Sequence, residues 1–120
     1  VARTRVSEDD LADRIDAFLT DHPAPVTYAA LAEAMELTGS GRIARLTDAL
    51  EALMDRDAKR GRPFRAAWVV SRATGLPARG FFDCAAALGR YDGPAVGDPD
   101  YVAGIRDTLA RQSRDALKPL

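Results

Sequence analysis

Gly39-Ser40-Gly41-Arg42-Ile43-Ala44-Arg45-Leu46-Thr47-Asp48-Ala49-Leu50 opens the stretch that decides the fold, and it runs on to a basic turn at Lys59-Arg60-Gly61-Arg62. Ile43, Leu46, Leu50 and Leu53 recur at helical spacing, which predicts a helix with one side buried. The apolar positions continue through Met54 and carry the helix to about Asp57, with Asp55, Arg56 and Asp57 expected on the surface. Arg42 and Arg45 leave the helix near its start, on a face the apolar residues do not occupy. A helix start of this kind suits the edges of a DNA groove.

Upstream, Leu37 to Gly41 makes the turn into this helix, and Ser40 is placed to cap it. The preceding helix is expected from Thr27, its N-cap, through Glu36, with Leu31, Ala32 and Met35 inward. Two helices joined by a short glycine-containing turn make a helix-turn-helix pattern. Earlier still, residues 1–6 form a flexible arm, and Ser7 caps a first helix with acids in its first turn, where the dipole favours them. That helix has the stripe Leu11, Ile15, Phe18 and Leu19 and stops before Pro23, and Ala24-Pro25-Val26 is extended.

Downstream, Ala58 to Pro63 is a loop. Phe64 to Arg72 reads as the one convincing strand, being rich in aromatic and β-branched residues. A loop follows to Gly80, then a short helix over Phe81 to Leu88. The organisation is a domain over 7–90, a linker over 91–97 and a C-terminal helix over 98–120, capped by Asp98 with Pro99 at its first position and ended by Lys118-Pro119. Its stripe is Tyr101, Val102, Ile105 and Leu109, and an exposed stripe there would make a homodimer.

The chain has 120 residues, 47% of them apolar and 29% charged, enough for one core and too apolar for wholesale disorder. No apolar run spans a bilayer and no signal core follows the basic start, so no membrane partner and a cytoplasmic location are expected. A single cysteine, Cys84, excludes an internal disulfide, and with one histidine, His22, it cannot build a zinc site within one chain. The net charge of −1 conceals a net −5 over residues 1–40 and a net +5 over 41–90. One basic section in an acidic chain is the charge pattern of a binding face for an anionic polymer, although mixed solvated surfaces also show it.

Three helices followed by a strand and a loop resemble a winged helix-turn-helix, so the fold class is mainly α with a small β element and a C-terminal helix. In that resemblance the helix after Gly41 is the recognition helix and the Gly75–Gly80 loop is the wing. The run from Thr27-Tyr28-Ala29-Ala30-Leu31-Ala32 to Leu88 looks like the DNA-binding domain of the alkyltransferase-like proteins. That family's reactive segment has a Pro-Cys-His-Arg pattern, whereas Trp68-Val69-Val70-Ser71-Arg72 has neither cysteine nor histidine, so alkyl transfer does not carry over. Val70-Ser71-Arg72-Ala73-Thr74-Gly75-Leu76-Pro77 with Gly80-Phe81-Phe82 also resembles a segment that recurs in small bacterial proteins, and that resemblance implies no activity.

The expected function is non-catalytic binding of double-stranded DNA, as in a bacterial or phage transcriptional regulator, with no cofactor and no metal. Arg42 and Arg45 contact base edges or phosphates, Thr38 and Ser40 anchor the backbone at the same helix start, and Lys59, Arg60, Arg62, Arg72 and Arg79 add phosphate contacts. Tyr28 either places its hydroxyl on a phosphate or packs half-buried against the core, and the second role is the commoner one. Trp68 reads as core rather than as a stacking platform, and Cys84 as a packed thiol whose ionisation Asp83 opposes. The alternative is a protein-protein interaction module on the same scaffold, recognisable by basic residues scattered around the fold.

Overall fold

A computed structural model describes residues 8–117. The arm over 1–6, the Ser7 cap and the Lys118-Pro119 stop lie outside the described residues. Helix α1 spans Glu8–Asp21 and turns Leu11, Ile15 and Leu19 inward, with Phe18 half-buried beside them. Strand β1 is only Val26–Thr27. Helix α2 spans Tyr28–Ala34, and Thr27 caps it by accepting the Ala30 N–H at 3.1 Å. Helix α3, Arg42–Lys59, crosses the molecule and packs chiefly against α1. Leu46, Ala49, Leu50, Leu53 and Met54 supply its buried stripe.

The strand expected over 64–72 is mostly something else. Arg65–Trp68 winds into a 3₁₀ turn, and strand β2 is limited to Val69–Val70. The reason lies in the partner. β1 is confined between Pro25, which has no N–H to donate, and Tyr28, which already begins α2. Only two residues are left to pair. β1 and β2 run parallel, Val26 opposite Val69 and Thr27 opposite Val70, and a parallel pair needs a long crossover, here α2 and α3. Trp68 is buried, with the Arg106 guanidinium 5.9 Å from its ring centroid, so it is a core residue.

Helix α4 spans Arg79–Ala87 and α5 spans Asp98–Leu117. Phe81 meets Phe64 and Phe82 edge to face, which closes the core over α3. Asp98 is not a cap residue. A 3₁₀ turn, Ala95–Gly97, runs into it in right-handed helical backbone, and its side chain faces Tyr91 and Arg79 instead. Within the segment expected as a linker, residues 92–95 are exposed, but Tyr91 stacks on Tyr101 at 4.1 Å and a Cβ on Gly93 would sit 2.9 Å from the Tyr91 ring. The α5 stripe points inward, with Val102 and Leu109 buried and Tyr101 and Ile105 packed against the same core. The surface expected to make a homodimer is therefore used by the fold itself.

Two residues on α3 reverse their expected exposure. Asp57 is fully buried, and Ile43 is 39% exposed, the one large hydrophobic among the described residues that stays outside. The apolar stripe extends one turn beyond the core that covers it. Leu46→Ala is expected to cost about 3 kcal/mol, whereas Ile43→Ala should change stability by less than about 0.5 kcal/mol. Urea denaturation of the two variants checks this, and equal losses would place Ile43 in the core.

Candidate nucleic-acid interface

The turn before α3 sets how its first residues are presented. Gly39 and Gly41 both hold φ +83°, a left-handed conformation that glycine adopts without steric cost. Gly41 is the N-cap of α3, so the expected Ser40 cap is not formed and no side chain covers the first amides. Arg42, Ile43, Ala44 and Arg45 are all exposed, so a full helical turn stands clear of the core. Arg45 turns back, and its Nη2 donates to the Thr38 carbonyl at 2.8 Å. It braces the turn, while Arg42 extends outward with no partner among the described residues.

The parallel strand pair supplies the opposite wall. It brings the start of α2 beside the loop that follows β2, and the Tyr28 hydroxyl accepts the Ala78 N–H at 2.8 Å. Tyr28 is half-buried and burial raises its hydroxyl pKa, so the packed role expected for it is the observed one. Between this wall and α3 lies an open groove of about 420 Å³. Ala29 and Val70 line one side, Ile43 and Thr47 the other, and Ser71 and exposed Arg72 the loop edge.

The remaining basic residues do not gather here. Lys59 pairs with Asp55 at 2.8 Å and Arg60 is exposed, both at the far end of α3, roughly 25 Å from Arg42 at the helical rise per residue. Arg79 lies 3.2 Å from Asp98 and 3.5 Å from Asp83, with its guanidinium over the Phe82 ring. Arg62 brings Nη2 to 3.1 Å of Asp57 Oδ1, close enough to pair charges but misaligned for a hydrogen bond. Of the ten residues expected at a DNA surface, Arg42, Arg72, Thr38 and Ser40 sit around the groove and the adjoining turn, while Arg62 and Arg79 serve ion pairs within the fold.

Compared with known family models, curated proteins and solved structures, the chain matches none. Among the described residues no helix is long and apolar enough to cross a membrane.

Two side-chain clusters were missed by reading the sequence. In the first, Tyr91 donates to Asp98 at 2.6 Å, and that hydrogen bond, with burial and the Asp98 charge behind it, pushes the Tyr91 hydroxyl up to about 12. In the second, Asp57 accepts from the Arg65 backbone N–H at 3.1 Å and lies near the Arg62 and Arg65 guanidinia. Asp57 carried a sequence signal: it stands three residues beyond Met54 and four beyond Leu53, on the buried stripe. Cys84 is half-buried, and its thiol is pushed up by burial first and then by Glu51 and Asp55. Asp83, the residue expected to oppose its ionisation, instead faces Arg79.

Burial raises the Asp57 carboxyl above its ordinary 3.8, against the pull of the Arg65 amide and the Arg65 and Arg62 charges. A raised folded-state value means that the native protein holds this proton more tightly than the unfolded chain does. The Asp57 contribution is then full below pH 3.8 and declines as pH rises through the folded-state value. The stability difference between wild type and Asp57→Asn should move against wild type over that window, while Asp57→Ala should cost about 2 kcal/mol at neutral pH by leaving the Arg65 amide without its acceptor and a cavity in place of the carboxylate. Denaturant titrations of the three proteins between acid and neutral pH check both, and a difference that moves towards wild type with rising pH would reverse the assignment.

Proposed function

We propose that this chain is a non-catalytic duplex-DNA-binding protein of winged helix-turn-helix type, acting as a bacterial or phage regulator of transcription. The single observation that carries this reading is the exposed first turn of α3, which has no side-chain cap and stands beside a groove with Arg72 on its far edge. Helix-turn-helix readers place the N-terminal residues of the second helix against base edges, and this turn is free to enter a major groove. In this reading Arg42 donates to a guanine edge or a phosphate. The Thr38 and Ser40 hydroxyls and the uncapped amides of α3 face the adjacent phosphate. The loop after β2 takes the wing position, and Arg72 holds the backbone from there. Arg45 acts by bracing the turn rather than by contact.

The second reading, a protein-interaction module, draws support from the ion pairs that occupy Arg62 and Arg79 and from the distance between the two ends of α3. Fluorescence anisotropy with labelled duplex DNA over a salt series separates the two. Wild type should bind with a negative salt slope, and Arg42→Ala/Arg72→Ala should make that slope shallower by about 1 for each phosphate that is no longer neutralised. No binding to any duplex at low salt would sink the DNA reading and leave the interaction module.

A further inference from the structure

Ile43 is the feature of this surface that phosphate binding does not explain. A charged helix start needs no isoleucine, and Ile43 is 39% exposed and lies outside the main core cluster. It sits in the uncapped first turn of α3, between Arg42 and Arg45, and lines the groove with Thr47 one turn further along the same helix face. Ala29 and Val70 form apolar ground on the opposite side, with Tyr28 and Ser71 among them, and Arg72 makes one edge basic. A β-branched side chain in a helix is held near one χ1 rotamer, so Ile43 presents a fixed apolar surface.

We propose that Ile43 is a specificity-determining residue that reads the C5 methyl group of thymine in duplex DNA. The inference rests on the DNA-binding reading of α3 and adds the base class that it recognises. The occupant follows from the chemistry of the surface. Arg42 and Arg72 call for a polyanion, and Ile43 calls for an apolar group carried on that polyanion. Along the major-groove edges of the four base pairs, thymine alone carries such a group, its methyl. Arg42 and Ile43 point in different directions around the helix, so they reach different base pairs when the N-terminal end of α3 enters the groove.

Deoxyuridine removes that methyl and leaves the hydrogen-bonding edge of the base unchanged, so it isolates this contact. Duplexes are first enriched on the wild-type chain from a random-sequence pool, then remade with deoxyuridine in place of each thymine in turn. At one or more positions the exchange should weaken wild-type binding by about fourfold, the value of one buried methyl. Ile43→Ala should bind the thymine and deoxyuridine forms equally, Ile43→Val should keep part of the discrimination, and Arg42→Ala should weaken both forms alike. Circular dichroism verifies that each variant is folded. Enriched duplexes that bind equally well with deoxyuridine throughout would overturn the thymine reading and leave DNA binding standing. Retention of no duplex at low salt would overturn both and point to an acidic protein surface as the occupant of the groove.

Discussion

The rest of the fold hangs on a carboxylate taken out of water. Asp57 is fully buried near the end of α3, and the chain after the helix folds back over it. Its Oδ2 accepts the Arg65 amide, its Oδ1 faces Arg62 and Arg65, and its backbone carbonyl accepts from the Arg62 amide and, more distantly, from Arg90. Arg65 also reaches Asp16 on α1 at 2.6 Å, and Arg90, past the end of α4, covers the Phe64 ring. One buried charge thereby ties α1, α3, the 3₁₀ turn and the segment after α4. Such a cluster adds little net stability over a well-packed apolar one. What it contributes is position: the chain must leave α3 in the direction that delivers Val69 and Val70 to β1.

That position builds the groove. With two residues a side, the β1–β2 pair cannot stabilise itself, so it depends on the helices packed around it. Once held, it sets the start of α2 against the loop after β2, and the Tyr28–Ala78 hydrogen bond locks the wall. α3 therefore serves two purposes at its two ends. Its C-terminal half is committed to the core and the buried ion pairs. Its first turn carries little packing, which leaves Arg42 and Ile43 exposed.

Helix existence was largely legible in the sequence. The stripes of α1, α2 and α5 and the Thr27 cap all follow from periodicity and turn chemistry, whereas the cap of α3 is Gly41 and not Ser40. What failed was depth and partnership. Periodicity says which way a side chain points, not whether anything lies above it. Ile43 and Asp57 share the direction of Leu46 and Leu53, yet the core ends before the first and extends past the second. The β content of Phe64 to Trp68 was misjudged because strand propensity has no effect without a partner strand, and the two prolines before β1 had already limited that partner.

The same reasoning governs the candidate site. Ten residues were expected on one surface because most of them lie in one basic section of sequence, and charge along the chain says nothing of which cations the fold will consume. Arg62 and Arg79 are consumed by Asp57 and Asp98, carboxylates whose separation in sequence matches no i,i+3 or i,i+4 pattern. Arg42 and Arg72 are left because no carboxylate among the described residues folds against them. A surface cation without an intramolecular partner keeps its hydration and its full attraction for a polyanion, whereas a paired one must first break its ion pair. The residues that define this candidate site are therefore ones the fold did not use: Arg72 lines the groove opposite Ile43, and Arg42 stands on the exposed turn next to it, because a two-residue parallel pairing brings the loop after β2 towards α3.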